Sequence, residues 1–242
     1  MRLSFTHKWN VKPAEAREIQ ERLRKKWQGR DQIGPLATVA GLDAAFVLKG
    51  SQAFGAGKRS RWKALRDANL AIGAVVVFSY PQMQELERAD AELPLEFPYV
   101  PGFLSFREIP VLLAALGKLR RLPDLLFCDG QGYAHPRRMG LASHLGILLD
   151  RPSIGCAKSI LIGKYGPLGQ EKGEWAALVE GGETIGAALR TRSGSQPVYI
   201  SQGHRISLET ALRLTLSVSD GFRIPRPTRE ADRFVGETKR KR

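Results

Sequence analysis

Only 2 of the 242 residues are cysteines, which excludes the disulfide framework that staples small secreted domains. Cys128 and Cys156 lie in or beside apolar segments and lack CxxC spacing, so both read as buried free thiols in a reducing compartment. Histidine is scarce too, with 4 in the chain. His135 and His144 do not stand at a zinc-site spacing, and no cysteine or acidic partner completes such a site. Long hydrophobic runs are missing. The longest smooth one, Ala71 to Phe78, is far short of the roughly 20 residues that cross a bilayer. The opening MRLSFTHKWN holds no apolar signal core. These absences lead to the expectation of a soluble, cytoplasmic protein with no membrane partner.

Acidic residues are also few: 24 against 38 Lys and Arg, a formal net charge of +14. Such an excess does not specify a fold, but it favours a polyanionic partner, nucleic acid ahead of an anionic membrane surface. With 43% hydrophobic and 26% charged residues the chain is globular in composition and long enough to bury a full core. It shows no internal repeat and no linker long enough to divide it. Residues 1–235 are therefore expected to form a single domain, and residues 236–242 (GETKRKR) a basic disordered tail.

Periodicity supplies the elements. Pro13 to Trp27 reads as an amphipathic helix with Ile19, Leu23 and Trp27 on its apolar face. Arg17, Arg22, Arg24, Lys25 and Lys26 cover the outer face, either a solvated surface or one turned toward DNA. Thr38 to Leu48 and Ala71 to Tyr80 have the near-continuous apolar character of strands buried on both faces. Lys49 to Lys63, with Gly50, Gly55 and Gly57, reads as a loop tip through which another strand returns, giving an antiparallel meander. Gln84 to Glu92 looks acidic and exposed. Arg107 to Leu119 reads as a helix with Pro110 in its first turn, Leu122 to Cys128 as a buried strand, and Leu141 to Leu149 as a short helix. Pro152 to Ala157 is strand-like. Later strands fall at Trp175 to Val179, Thr184 to Thr191 and Val198 to Ile200, and Ser207 N-caps a last helix. The order describes an α/β domain with a mixed sheet.

Three carboxylates stand out against this frame. Asp43 interrupts the apolar run TVAGLDAAFVL, where a charge is costly unless it is paired or bound to metal. Glu108 begins a helix, although Ser105-Phe106-Arg107-Glu108 also fits a capping box. Asp129 follows a strand at its C-terminal end, the place where ligands collect in open α/β sheets, although Asp129-Gly130 also fits a simple turn. Clustered carboxylates can hold Mg²⁺, a hard cation that neutralises a scissile phosphate and activates water. Arg137 and Arg138 are candidate phosphate contacts, with His135 shaping their loop and His144 a further proton-transferring group. Lys158, in GCAKS, is a candidate for touching phosphate or orienting water.

At these residues the sequence resembles the endonuclease V family of inosine-directed repair nucleases. The matching blocks are VAGLDAAF around Asp43, PYVPGFLSFRE ending at Glu108, DGQGYAHPRRMGLASHLG from Asp129, GCAKS, GHRISLETAL from Gly203, and IPRPTREAD at Ile224 to Asp232. The resemblance implies a ribonuclease H-like mixed sheet flanked by helices. It implies Asp43 and Asp129 as the principal metal ligands, Glu108 as the third catalytic carboxylate, Asp232 as a further metal-proximal side chain, and Lys158 near the catalytic centre. It also implies a Mg²⁺-dependent cut, with Mn²⁺ as the substitute, at the second phosphodiester on the 3′ side of deoxyinosine, leaving 3′-hydroxyl and 5′-phosphate ends.

Pro98-Tyr99-Val100-Pro101 then reads as a stiff wedge, since two prolines fix φ and Tyr99 can fill the space left by an extruded base. By resemblance the base pocket is lined by Gly102, Leu104, Gly130, Gly140 and Leu141, and phosphates meet His135 and Arg137. The expected partner is DNA containing deoxyinosine, acted on by a monomer, with single-stranded DNA and inosine RNA as further substrates. Competing readings are an inosine-specific ribonuclease of the same family, a non-catalytic nucleic-acid-binding module, and a basic protein of the translation machinery. The last two leave the carboxylate set or the long motifs unexplained.

Overall fold

The computed structural model describes residues 1–48, 63 and 66–241. Its sheet is built around β1 (Thr38–Val47), in which Val39, Ala40 and Leu42 have no solvent exposure. β2 (Leu70–Ser79) runs antiparallel beside it, with Leu42 opposite Val75. The two-residue period of β2 sends Val75 and Val77 into one core and Val76 and Phe78 into the other. Both faces of the strand are therefore apolar.

The meander is present, but its third strand is β3 (Glu85–Pro94), antiparallel to β2. This is the acidic stretch that looks like exposed chain in the sequence. It is an edge strand, and its charged residues suit an unprotected edge. The expected loop and return strand at Lys49 to Lys63 fall outside the described residues, Lys63 excepted.

The remaining elements are α1 (Pro13–Arg24), α2 (Ser105–Leu116), β4 (Leu125–Cys128), α3 (Leu141–Leu149), β5 (Ser153–Ala157), β6 (Trp175–Glu180), β7 (Glu183–Leu189), β8 (Val198–His204), α4 (Leu208–Ser217) and α5 (Arg226–Arg240). The strands form one mixed sheet in the order β3-β2-β1-β4-β5-β8-β7-β6, with β1, β4 and β5 parallel. α1, α2 and α3 pack into the core on one face, and α4 and α5 contribute to the apolar clusters on the other. The α/β mixed sheet expected from the sequence is the one found. Ser207 caps α4 as expected, its hydroxyl accepting from the Thr210 N–H at 3.2 Å. Pro110 lies deeper in α2 than the expected first turn.

Two local features set up the site. At Gly41 an added Cβ would lie 1.8 Å from the Pro227 carbonyl oxygen, so only glycine lets the start of α5 settle directly on β1. α5 then continues to Arg240, which corrects the expectation of a disordered end from residue 236. Ala231, Val235 and Thr238 recur at helical spacing and are buried, and Arg233 pairs with Glu237 at 3.0 Å one turn on. A buried stripe of this length holds the basic end in helical form.

Candidate active site

Strand register brings the first two carboxylates together. Leu42 pairs with Cys128 across the parallel β1–β4 ladder, and the Asp129 N–H donates to the Leu42 carbonyl at 2.9 Å. Asp43 and Asp129, the next residue on each strand, therefore emerge side by side. Asp232 arrives from the opposite direction, on the helix that Gly41 admits. One ligand atom from each of Asp43, Asp129 and Asp232 lies within 4.8 Å of the others. Glu108 stands just outside that group but close enough to interact with Asp43 and Asp129.

Lys158 leaves the end of β5 and enters this cluster. Its ammonium lies 2.6 Å from Asp129 Oδ2 and 2.9 Å from Asp232 Oδ2. Burial opposes its charge, but the two aspartates outweigh that and hold its pKa above the ordinary lysine range. Burial also pushes Asp43 well above the usual carboxylate range, reinforced by the charge of Asp129 and countered by Lys158. Glu108 is raised by burial first and then by Asp43 and Asp129. Like charges gathered out of water need a cation. The convergence of hard oxygen donors on a bridging ammonium fits the chemistry of a divalent metal site.

The capping alternative for Glu108 does not form. Ser105 is the first residue of α2 and no side chain caps that helix; the Ser105 hydroxyl instead pairs with His144 Nδ1 at 3.1 Å. Glu108 is thereby left to the acidic cluster. The two cysteines are buried free thiols, as the sequence suggests, and burial pushes the Cys156 thiol up to about 12.

The proline-rich loop precedes α2 directly. Phe97 and Phe103 bracket Pro98-Tyr99-Val100-Pro101 and are buried against Phe106, with ring centroids 5.1 and 6.3 Å from it. These anchors fix the stem while Pro98 and Pro101 stay exposed. Arg107 lies between the Phe46 ring, at 4.8 Å, and the Tyr99 ring, at 5.7 Å.

Gly102 turns the chain at φ +80°. Of the expected pocket residues, Gly130, Gly140 and Leu141 come together. A Cβ on Gly130 would touch Leu141 at 3.3 Å, and one on Gly140 would strike the Gln131 carbonyl at 2.4 Å. Leu104 is partly exposed beside Ser105, whose bond to His144 links the starts of α2 and α3.

His135 and Arg137 belong to this loop junction. His135 Nδ1 accepts from the Arg137 and Met139 N–H groups at 3.1 and 3.4 Å, so its proton is on Nε2, which donates to the Gly102 carbonyl at 3.0 Å. Burial, with help from Arg137, lowers its pKa to about 4. Arg137 donates to the same carbonyl and stacks over Phe103 with its guanidinium 4.1 Å from the ring. Arg138 pairs with Glu183 at 2.7 Å. His144 is fully buried and away from the acids, 2.8 Å from His7 Nε2. The sequence carries no sign of Gln20, a fully buried side chain of α1 that touches both the Gly102 and the Met139 loops. Nor does it signal the Trp27–Tyr133 stack, with centroids 4.1 Å apart.

A mixed sheet that converges three aspartates and a lysine beside a stiffened, aromatic-anchored loop defines a nuclease of the carboxylate-cluster class. The chain belongs to the endonuclease V family, whose family model matches residues 17–233. The curated Endonuclease V of Roseiflexus castenholzii is 47% identical over 237 residues, spanning 98% of each chain. The crystal structure of Endonuclease V from Streptomyces avermitilis superposes with a TM-score of 0.83 at 38% identity, covering 96% of this chain and 95% of that one. Endonuclease V from Ciona intestinalis, solved in complex with a 24mer DNA containing an inosine followed by a ribo-adenosine, gives 0.75 at 28% identity, covering 94% and 98%. Among the described residues no helix is long and apolar enough to cross a membrane.

Proposed function

We propose that this protein recognises deoxyinosine in DNA and hydrolyses the second phosphodiester bond on its 3′ side, with Mg²⁺ as the working cation and Mn²⁺ able to replace it. The observation that carries the reading is the meeting of Asp43, Asp129 and Asp232 within 4.8 Å, with Lys158 bridging two of them. The inosine-containing DNA held by the Ciona relative supports the substrate class, and the family resemblance supports the position of the cut.

Asp43, Asp129 and Asp232 would hold the cation, with Glu108 behind them. When bound, Mg²⁺ neutralises charge on the scissile phosphate and makes water a nucleophile near neutral pH. Lys158 donates to Asp129 and Asp232 and offers positive charge to the phosphate. Tyr99 and its flanking prolines hold the strands apart, and the displaced base enters the space around Gly102, Leu104, Gly130, Gly140 and Leu141. His135 and Arg137 stiffen the loop that meets the backbone, and the exposed cations of α1 add a general attraction for phosphate. We place the protein in the cytoplasm, acting as a monomer.

The test is a labelled oligonucleotide with a single deoxyinosine, incubated with Mg²⁺ or with EDTA, beside an adenine control and an inosine-containing RNA. A Mg²⁺-dependent nick one nucleotide beyond the lesion's own 3′ phosphate is expected, with 3′-hydroxyl and 5′-phosphate ends. No nick from folded protein would end the enzymatic reading, and a strong preference for the RNA would move the assignment to an inosine ribonuclease.

A further inference from the structure

Gln20 is the one fully buried polar residue of α1, on a helix whose other polar side chains face outward. Its amide uses both donors and its acceptor. Nε2 donates to the Gly102 and Met139 carbonyls, each at 3.2 Å, and Oε1 accepts from Arg137 Nε at 2.5 Å. The orientation is fixed, because the flipped amide would set its oxygen against two carbonyls and its NH₂ against a guanidinium. Arg137 closes the ring by donating to Gly102 while stacked on Phe103. Gly102 follows the Pro98 to Pro101 tetrad, whose two prolines are exposed, and Met139 directly precedes Gly140 and Leu141. One amide therefore ties the foot of the wedge to the mouth of the base pocket.

We propose that Gln20 is a positioning residue for lesion recognition, holding the wedge and the pocket at the one separation that admits an extruded hypoxanthine. It touches none of the carboxylates. This inference rests on the inosine reading above and extends it to a residue of the N-terminal helix. Buried networks in which every member is satisfied act as rigid spacers, and losing one member frees the rest. A purely structural glutamine would lower the melting temperature without selectively affecting one step of recognition.

The experiment compares binding of deoxyinosine and deoxyadenosine duplexes, with EDTA present, for the parent, Gln20→Met, Tyr99→Ala and the double variant. Gln20→Met keeps the length of the side chain and deletes all three bonds. Inosine preference should fall about tenfold, the scale of a lost bond to a charged or constrained partner. Mn²⁺ affinity by electron paramagnetic resonance should stay unchanged. Gln20→Glu keeps the bond to Arg137 but cannot donate to either carbonyl, so it should lose preference as well while the ion pair helps keep it folded. In the Tyr99→Ala background, Gln20→Met should cost little more, since both act through the wedge. Preference within twofold of the parent in both folded Gln20 variants, or full additivity with Tyr99→Ala, overturns the inference. A parent protein with no inosine preference would instead overturn the functional reading itself.

Discussion

Asp43 and Asp129 stand side by side because Leu42 and Cys128, the residues before them, are partners in the parallel β1–β4 ladder. No loop conformation is needed to make this pair; it is fixed by register, and a one-residue slip of either strand would turn its carboxylate to the other face. The arrangement holds like charges together at a cost to the fold. Asp43→Asn is predicted to abolish Mg²⁺-dependent cleavage and, in EDTA, to raise stability, because it removes a carboxylate whose charge burial and Asp129 both disfavour. Calorimetry of parent and variant in EDTA checks this, and a lower melting temperature for the asparagine form would refute it.

Lys158 occupies the oxygens that a divalent cation would take, at 2.6 and 2.9 Å from Asp129 and Asp232. Lys158→Met is predicted to slow cleavage by about a hundredfold, the usual loss when a preorganised charge leaves a phosphoryl site. Its effect on metal binding should have the opposite sign. With the competing ammonium gone, the aspartates should bind Mn²⁺ more tightly, as read by titration calorimetry. Weaker Mn²⁺ binding would show that the lysine supports the metal site and does not compete for it.

Two acids of the candidate cluster were legible in the sequence because they break a local rule. Asp43 interrupts an apolar strand, and Asp129 ends one. Asp232 broke no rule and was reached through family resemblance, since its partner Lys158 is 74 residues away in the chain. β3 was hidden because an edge strand with charged residues looks like a polar linker. The helical end of the chain did carry a signal, the spacing of Ala231, Val235 and Thr238, which the basic composition obscured. Gln20 had none. A glutamine on a charged helix reads as surface, and nothing local says that its partners lie 82, 117 and 119 residues away.

Tyr99 is steadied by Arg107, which also sits over Phe46 of β1, so the proposed wedge is tied to the strand that carries Asp43. Tyr99→Ala is predicted to reduce discrimination between inosine and adenine by about tenfold, the lower range for loss of an aromatic stacked on a base. Mn²⁺ affinity should not move. Fluorescence of a 2-aminopurine placed beside the lesion reports strand opening directly, and an unchanged signal would remove Tyr99 from the wedge.

All four histidines of the chain are held neutral. Burial lowers the pKa of His7, His135, His144 and His204, outweighing the pull of Asp150 on the last. His7 and His144 form one directed chain. His7 Nδ1 donates to the Lys8 carbonyl at 2.8 Å, so His7 Nε2 must accept from His144 Nε2 at 2.8 Å, and His144 Nδ1 accepts from Ser105. A proton added to His7 would put two N–H groups head to head.

The unfolded chain takes up protons near pH 6.5 while the fold refuses them, so the histidine contribution is whole above about 6.5 and falls as the pH drops. For His135 the loss runs from about 6.5 to its folded value of about 4. Asp43 and Glu108, with raised values, act with the opposite sign. The histidine share is therefore isolated by difference, comparing urea unfolding of the parent and His135→Gln at pH 7.5 and pH 5. The variant should lose less stability on acidification than the parent, by about 2 kcal/mol for roughly 1.5 pH units below the unfolded value. Equal losses would mean that His135 is protonated in the fold and that its bond to Gly102 survives the change.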